Sequence, residues 1–228
     1  ERRALTEWLS PLNFFVKQAD VLGLRVEGTG QWLLESEQFK SWVSGSKKTL
    51  WCSGIPGAGK TVLASIVVDH LQKSFPGDDT GIAFAYCNHQ ERIKQTPVNL
   101  IGSLLKQLAQ ARPLIYDRLK PLYKKHQNYN TCPTLSEIST ALRDEIAHYS
   151  NVFVIIDALD ECPEHNGFRD TLLMELGSLS RYVKLLVTSR PHISIEYDIE
   201  GAIPLEIQAS DGDLRKYLQD RLARSHRL

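Results

Sequence analysis

Eight consecutive residues, Gly54-Ile-Pro-Gly-Ala-Gly59-Lys60-Thr61, match the spacing G-x-x-x-x-G-K-[ST], and that spacing has a chemical meaning. Glycines at 54, 57 and 59 let the backbone curl so that successive N–H groups converge on a polyphosphate. A helix opening just after Gly59 adds the free N–H groups and positive dipole end of its first turn. Lys60 then reaches the β- and γ-phosphates, and the Thr61 hydroxyl is suited to ligating Mg²⁺. Ile55, Pro56, Ala58 and Val62 supply the rest of the cradle. The structural alternative is a glycine-rich turn that happens to contain Lys. A strand-like run before the motif and a helical pattern after it argue against that alternative.

A magnesium-assisted phosphate site also needs a carboxylate at the end of a second apolar strand. Asn151-Val-Phe-Val-Ile-Ile-Asp157-Ala-Leu-Asp160-Glu161 supplies one. Asp157 stands where the strand stops, as the metal-side carboxylate. Asp160 and Glu161 follow within one turn, close enough to orient or deprotonate a water. Carboxylates this dense repel unless a cation sits among them; the bland alternative is an acidic helix cap. A third run, Lys184-Leu-Leu-Val-Thr-Ser-Arg190, ends in hydroxyls and a guanidinium. On the ligand edge of an open parallel sheet Arg190 could contact a γ-phosphate; otherwise it is a surface Arg paired with a carboxylate.

Positioning these groups requires βα units. From Thr49 onward short apolar runs alternate with turns and with stripes of period 3.6. The expected strands are Leu50 to Ser53, Ile82 to Cys87, Val152 to Ile156, Leu185 to Thr188 and Ile203 to Ile207. Helical stripes comprise Val62, Leu63, Ile66, Val67 and Leu71; Leu100, Ile101, Leu104, Leu105 and Leu108; and Leu135, Ile138, Leu142 and Ile146. Thr134 with Glu137 forms a capping box for the last. Asp211 is expected to cap a final helix carrying Leu214, Tyr217, Leu218 and Leu222. Upstream, Leu5, Trp8 and Leu9 make a short amphipathic turn ended by Pro11, followed by an apolar patch from Leu12 to Val16. Trp32, Leu33, Leu34, Phe39, Trp42 and Val43 then recur at helical spacing, and Ser44 to Lys48 reads as a loop.

The chain has 228 residues, 42% hydrophobic, with 27 basic against 27 acidic side chains. This size buries a sizeable core in one to two domains. Zero net charge argues against a broad basic face for nucleic acid. No apolar run approaches the about 20 residues of a membrane helix, and no signal peptide is visible. Four cysteines without a C-x-x-C pair fit a reducing, cytoplasmic setting. Cys87-x-His89 with Cys162-x-x-His165 leaves a zinc site open, against the default of small buried hydrophobes. Arg215, Lys216, Arg221, Arg224 and Arg227 read as a solvated helix face. A start at Glu1 and a stop at Leu228 inside a helical pattern predict a fragment of a longer protein.

Together these stations resemble the NACHT family of STAND-class P-loop ATPases, a class that includes regulators of innate immunity and programmed cell death. Gly28-Thr-Gly-Gln-Trp-Leu-Leu34, Tyr86-Cys-Asn, Asn99 to Leu108 and Asp157-Ala-Leu-Asp-Glu-Cys162 look most like the large fungal NACHT proteins, whose ATPase lies between an effector domain and ankyrin or WD repeats. The resemblance implies an α/β P-loop NTPase: a three-layer sandwich with a parallel five-stranded sheet in the order 5-1-4-3-2. Residues 46–208 would be the NACHT core, 1–45 an N-terminal helical extension with the adenine-proximal segment, and 209–228 the start of a helical subdomain. It implies ATP/ADP with Mg²⁺ as ligands. Thr29 and Trp32 are candidates beside the adenine, although Trp32 could equally anchor its own helix. The implied partners are the effector and repeat domains and, on activation, further copies of the chain, with no direct nucleic acid or membrane. The family's winged-helix histidine has no counterpart among these residues. The leading expectation is a nucleotide switch with slow hydrolysis. Alternatives are a non-catalytic scaffold and a small-molecule kinase, the latter lacking an Arg-rich lid. The absence of N-K-x-D argues against a GTPase.

Overall fold

A computed structural model of the chain describes residues 1–46, 48–164, 167–193, 195, 199–208 and 210–225. Five strands, β1 (Thr49–Ser53), β2 (Thr80–Tyr86), β3 (Asn151–Asp157), β4 (Lys184–Ser189) and β5 (Ala202–Glu206), form one parallel sheet. Its order is β2-β3-β4-β1-β5, the order the resemblance implies. Register places Cys52 of β1 opposite Thr188 of β4, and Tyr86 of β2 opposite Asp157 of β3. The C-terminal ends of β1, β4 and β3 therefore lie side by side, on the edge where ligands bind in open α/β sheets.

β3 is buried from Val152 onward and β4 throughout, so both faces of the sheet are covered, as parallel strands require. The covering helices are α5 (Lys60–Ser74), which packs on β2, β3 and β4, and α6 (Pro97–Ala111), which packs on β2 and on α8 (Leu135–Ile146). β2 is an edge strand with unused backbone groups, a liability for pairing with other chains. Gln107 of α6 meets it: the side chain accepts from Phe84 N–H at 3.0 Å and donates to Phe84 O at 2.7 Å. The Thr134–Glu137 capping box forms as expected.

The N-terminal segment is more ordered than its pattern suggests. The expected turn is a full helix, α1 (Arg2–Leu9), and the apolar patch opens α2 (Phe14–Gly23), capped by Asn13. The next stripe is split by Ser36 into α3 (Gln31–Glu35) and α4 (Glu37–Ser44). Trp42 of α4 is fully buried and meets Phe153 edge-on at 5.3 Å between centroids. Two helices go beyond the expected set, α7 (Leu114–Tyr129) and α9 (Phe168–Leu179). The last, α10 (Asp211–Ser225), is capped one residue earlier than expected: Ser210 Oγ accepts from Asp213 N–H at 3.0 Å, and Asp211 is its first residue. Among the described residues no helix is long and apolar enough to cross a membrane.

Candidate functional site

The phosphate loop joins β1 directly to α5. Gly54 is needed for space, because a Cβ there would lie 2.6 Å from Ile207 O at the end of β5. Gly57 and Gly59 are needed for conformation, with φ of 80° and 90°, values that cost an L-residue about 1 kcal/mol or more. Gly59 is the N-cap of α5 and contributes no side-chain bond, so the first-turn N–H groups face the loop's mouth. Lys60 Nζ donates to Gly54 O at 2.7 Å and Ile55 O at 3.0 Å. The ammonium thus sits across the loop, within the cradle where a phosphate would be held.

Asp157 ends β3 at only 2% exposure. Its carboxylate accepts from Thr188 Oγ1 at 2.6 Å and from the Thr61 hydroxyl. Burial nevertheless pushes the carboxyl from 3.8 up to about 6; the two threonines and Lys60 pull it down and Glu161 pushes it up. Thr188 also accepts from Ala158 N–H at 2.8 Å. One hydroxyl on β4 therefore fixes both the acidic residue and the residue after it. Ala158 sits in the left-handed region at φ 55°, ψ 49°, which sharply lifts the chain off the strand into the turn Leu159–Glu161.

That acidic turn is tied down from three sides. Asp160, with a side chain 5% exposed, pairs Oδ2 with Arg190 Nε at 2.9 Å, while Oδ1 accepts from Arg190 N–H at 3.1 Å. Glu161 Oε2 faces the backbone N–H and Nδ1 of His89 at 3.4 and 3.7 Å. Arg169 on α9 places Nη2 between Asp160 O and Cys162 O, at 2.9 and 2.8 Å, and pairs with Glu164. Arg169 and Thr188 are the positioning groups that motif reading passes over. A cleft of about 330 Å³ brings together Pro56, Lys60, Thr61, Asp160, Glu161 and Arg190, so the predicted phosphate and acidic stations do converge. Arg190 lines this cleft and is paired with a carboxylate, Asp160.

On the other side of the loop, Thr29, Trp32, Gly57, Ala58, Gly59, Val62, Leu214 and Tyr217 are among the residues lining an apolar pocket of about 360 Å³. Trp32 also packs against the core, as an anchor of its own helix does. Thr29 Oγ1 donates to Val26 O at 2.7 Å, committing its proton to a local turn. The basic stretch on α10 is a solvated face as expected, with Arg215, Lys216 and Arg221 exposed. Lys216 Nζ donates to Gly28 O at 2.7 Å, and Arg221 lies over the Tyr217 ring; Arg227 and the Arg224 side chain lie outside the described residues.

The zinc alternative is not supported. Cys162 and Cys87 contact each other through sulfur at 3.0 Å, His89 faces Glu161, and His165 lies outside the described residues. No group of three His, Cys, Asp or Glu among the described residues is arranged to hold a metal ion. The hydrogen bond with Cys162, and then burial, hold the Cys87 thiol well above its ordinary value.

Vegetative incompatibility protein HET-E-1 of Podospora anserina is 27% identical over 204 residues, covering 84% of this chain and 15% of that protein. The chain thus spans less than a sixth of the length of this relative. The Aeropyrum pernix ORC1 protein, solved in complex with DNA, superposes with a TM-score of 0.52 at 18% identity, over 86% of this chain and 48% of that one. AMPPCP-bound DnaA from Aquifex aeolicus gives 0.48 at 13% identity, over 89% and 54%. The ORC1 likeness shows a shared fold. The sequence profile described as Nephrocystin 3, N-terminal matches residues 28–190. Because that match spans well over half of the chain, the protein belongs to the Nephrocystin 3, N-terminal family, as a NACHT protein of the fungal type.

Proposed function

We propose that the chain is the nucleotide-binding core of a NACHT signalling receptor, an ATP/ADP switch that hydrolyses ATP slowly with Mg²⁺. The observation that carries this reading is the cleft in which Lys60, Thr61, Asp160, Glu161 and Arg190 face one another beside the phosphate loop. Thr61 and Asp157 offer hard oxygen donors, and a buried carboxylate raised by desolvation gains from a divalent cation, so the residues fit Mg²⁺. When bound, Mg²⁺ supplies charge neutralisation along the polyphosphate.

Lys60 exchanges its two loop carbonyls for phosphate oxygens. Asp160 holds Arg190 until a γ-phosphate competes for the guanidinium; ATP and ADP therefore leave Arg190 with different partners, the differential contact a switch requires. Glu161, with 34% of its side chain exposed, orients the attacking water, while buried Asp160 acts through Arg190. Thr29 and Trp32 wall the pocket for the base. Residues 46–208 form the NTPase core, 1–45 a helical extension and 209–228 the beginning of a helical subdomain. Effector and repeat domains of a longer chain, and copies of the chain on activation, read the state. The balanced charge supports assigning neither nucleic acid nor membrane as a direct partner, and four free cysteines support a cytoplasmic setting. The incompatibility named for the Podospora relative supports a signalling role.

Titration calorimetry with Mg-ATP and Mg-ADP tests the placement. Lys60→Ala should weaken both by about tenfold or more, through loss of a charge-assisted phosphate contact of roughly 1.5–3 kcal/mol. Equal affinity for the two proteins would remove the reading. The scaffold alternative rests on the double engagement of Asp160 by Arg190, and it predicts nucleotide-dependent stabilisation without phosphate release.

A further inference from the structure

We propose that Cys87 and Cys162 form a redox modification site, a dithiol that a peroxide converts to an intramolecular disulfide tying the acidic turn to the end of β2. The two sulfurs are 3.0 Å apart although 75 residues separate them in sequence. Both are free and buried, at 5% and 4% exposure.

Their backbones are pinned independently, so the encounter is built into the fold. Cys87 N–H donates to Asp157 O at 2.9 Å. Gln95 brackets it, donating to Tyr86 O at 3.0 Å and accepting from Asn88 N–H at 2.8 Å. Cys162 N–H donates to Leu159 O at 3.1 Å, and its carbonyl accepts from Arg169 at 2.8 Å. A disulfide needs about 2.05 Å between sulfurs, so closure takes about 1 Å of sulfur movement. Each residue borders open space: Cys87 lines a cleft of about 430 Å³ shared with Thr61 and Asp157, and Cys162 lines one of about 330 Å³ shared with Arg92 and Arg190. Neither of the other two thiols is so placed. Cys52 is buried in β1 and Cys132 is exposed; what sets Cys87 and Cys162 apart is their sulfur contact.

The chemistry balances with hydrogen peroxide as oxidant. One cysteine, as thiolate, attacks a peroxide oxygen; the O–O bond breaks, a sulfenic acid forms and water leaves. The second sulfur displaces the hydroxyl, the S–S bond forms and a second water departs. The two thiols lose two protons and two electrons, and the peroxide is reduced to two waters. A low-molecular-weight thiol reverses the step by exchange.

The test uses the 228-residue chain, treated with hydrogen peroxide under native conditions, then denatured, alkylated, digested and analysed by mass spectrometry. The expected result is a loss of about 2 Da before alkylation, a linked Cys87–Cys162 peptide and alkylated Cys52. Melting should rise by several degrees and return with dithiothreitol, because the crosslink closes a long loop. Cys132→Ser should behave as the parent, whereas Cys87→Ser and Cys162→Ser should each abolish the link. Recovery of both Cys87 and Cys162 as alkylated peptides from fully oxidised parent chain would overturn the proposal, whatever the folding of the serine variants.

Discussion

A carboxylate at the floor of a cleft is a strain on the fold until something offsets its charge, and Asp157 carries that strain openly. Its carboxyl titrates near 6 rather than 3.8 because burial outweighs its hydroxyl donors. Below the unfolded value both states are protonated and the group costs nothing. As pH rises the unfolded chain releases its proton first, so stability falls until about 6, beyond which a penalty of at most about 3 kcal/mol is fully present. Asp157→Asn keeps an acceptor for Thr188 and Thr61 without the charge. In metal-free buffer its melting temperature should exceed that of the parent above pH 6 by several degrees, with the gap closing towards pH 4. Mg-ATP should then stabilise the parent more than the variant, because only the parent keeps the metal's carboxylate. Parallel melting curves at every pH would show that this carboxylate is not the strained group.

The elements decide how that residue is presented. Ala158 leaves β3 in a left-handed conformation, and the turn after it is held by carbonyl bonds to Arg169 from α9. Arg169→Ala removes a charged donor shared by two carbonyls, which should cost about 2–3 kcal/mol in urea denaturation. Arg169→Lys should recover little, since an ammonium cannot reproduce the fork that also meets Glu164. Full stability of the lysine variant would count against the clamp. The sequence signals differ sharply in reach here. The loop, the strand carrying Asp157 and the strand carrying Arg190 are short, local and chemically marked, so their places could be read directly. Arg169 sits eight residues beyond Glu161 with no motif around it, and only the fold of α9 brings it back. The helix α7 is hidden for another reason: Pro121 in its interior reads as a breaker. Yet Ile115, Tyr116, Leu119, Tyr123 and His126 keep one buried face across it, so packing overrides the lost bond. The stripe Leu172, Leu173, Leu176 and Leu179 of α9 does carry a helical period; what periodicity cannot show is which side chain its first turn aims at the acidic residues.

Across the whole molecule, the pocket beside the phosphate loop is closed by parts of the chain that are far apart in sequence. Asp213 accepts from Gly30 N–H at 3.0 Å across 183 residues, and Lys216 donates to Gly28 O at 2.7 Å across 188. Gly30 sits at φ 74°, where an L side chain is strained, and a Cβ there would also press on the tips of Ile66 and Leu63 at 2.6 and 2.9 Å; the turn lies flat on α5 and α10 is tied to its outer side. Leu214 and Tyr217 then complete the apolar wall. If this pocket holds the base, the two ties set its width without touching any phosphate. Replacing both, Asp213→Ala with Lys216→Ala, should weaken Mg-ATP and Mg-ADP by the same factor, about three- to tenfold, as expected for two partly exposed bonds of roughly 0.5 kcal/mol or a little more each. Arg190→Ala should instead weaken Mg-ATP more than Mg-ADP, because only the triphosphate competes for that guanidinium. Fluorescence titration of the six protein–nucleotide pairs, parent included, separates the two behaviours. A double variant that changed the ATP-to-ADP ratio would place α10 at the phosphates, and the base would have to lie elsewhere.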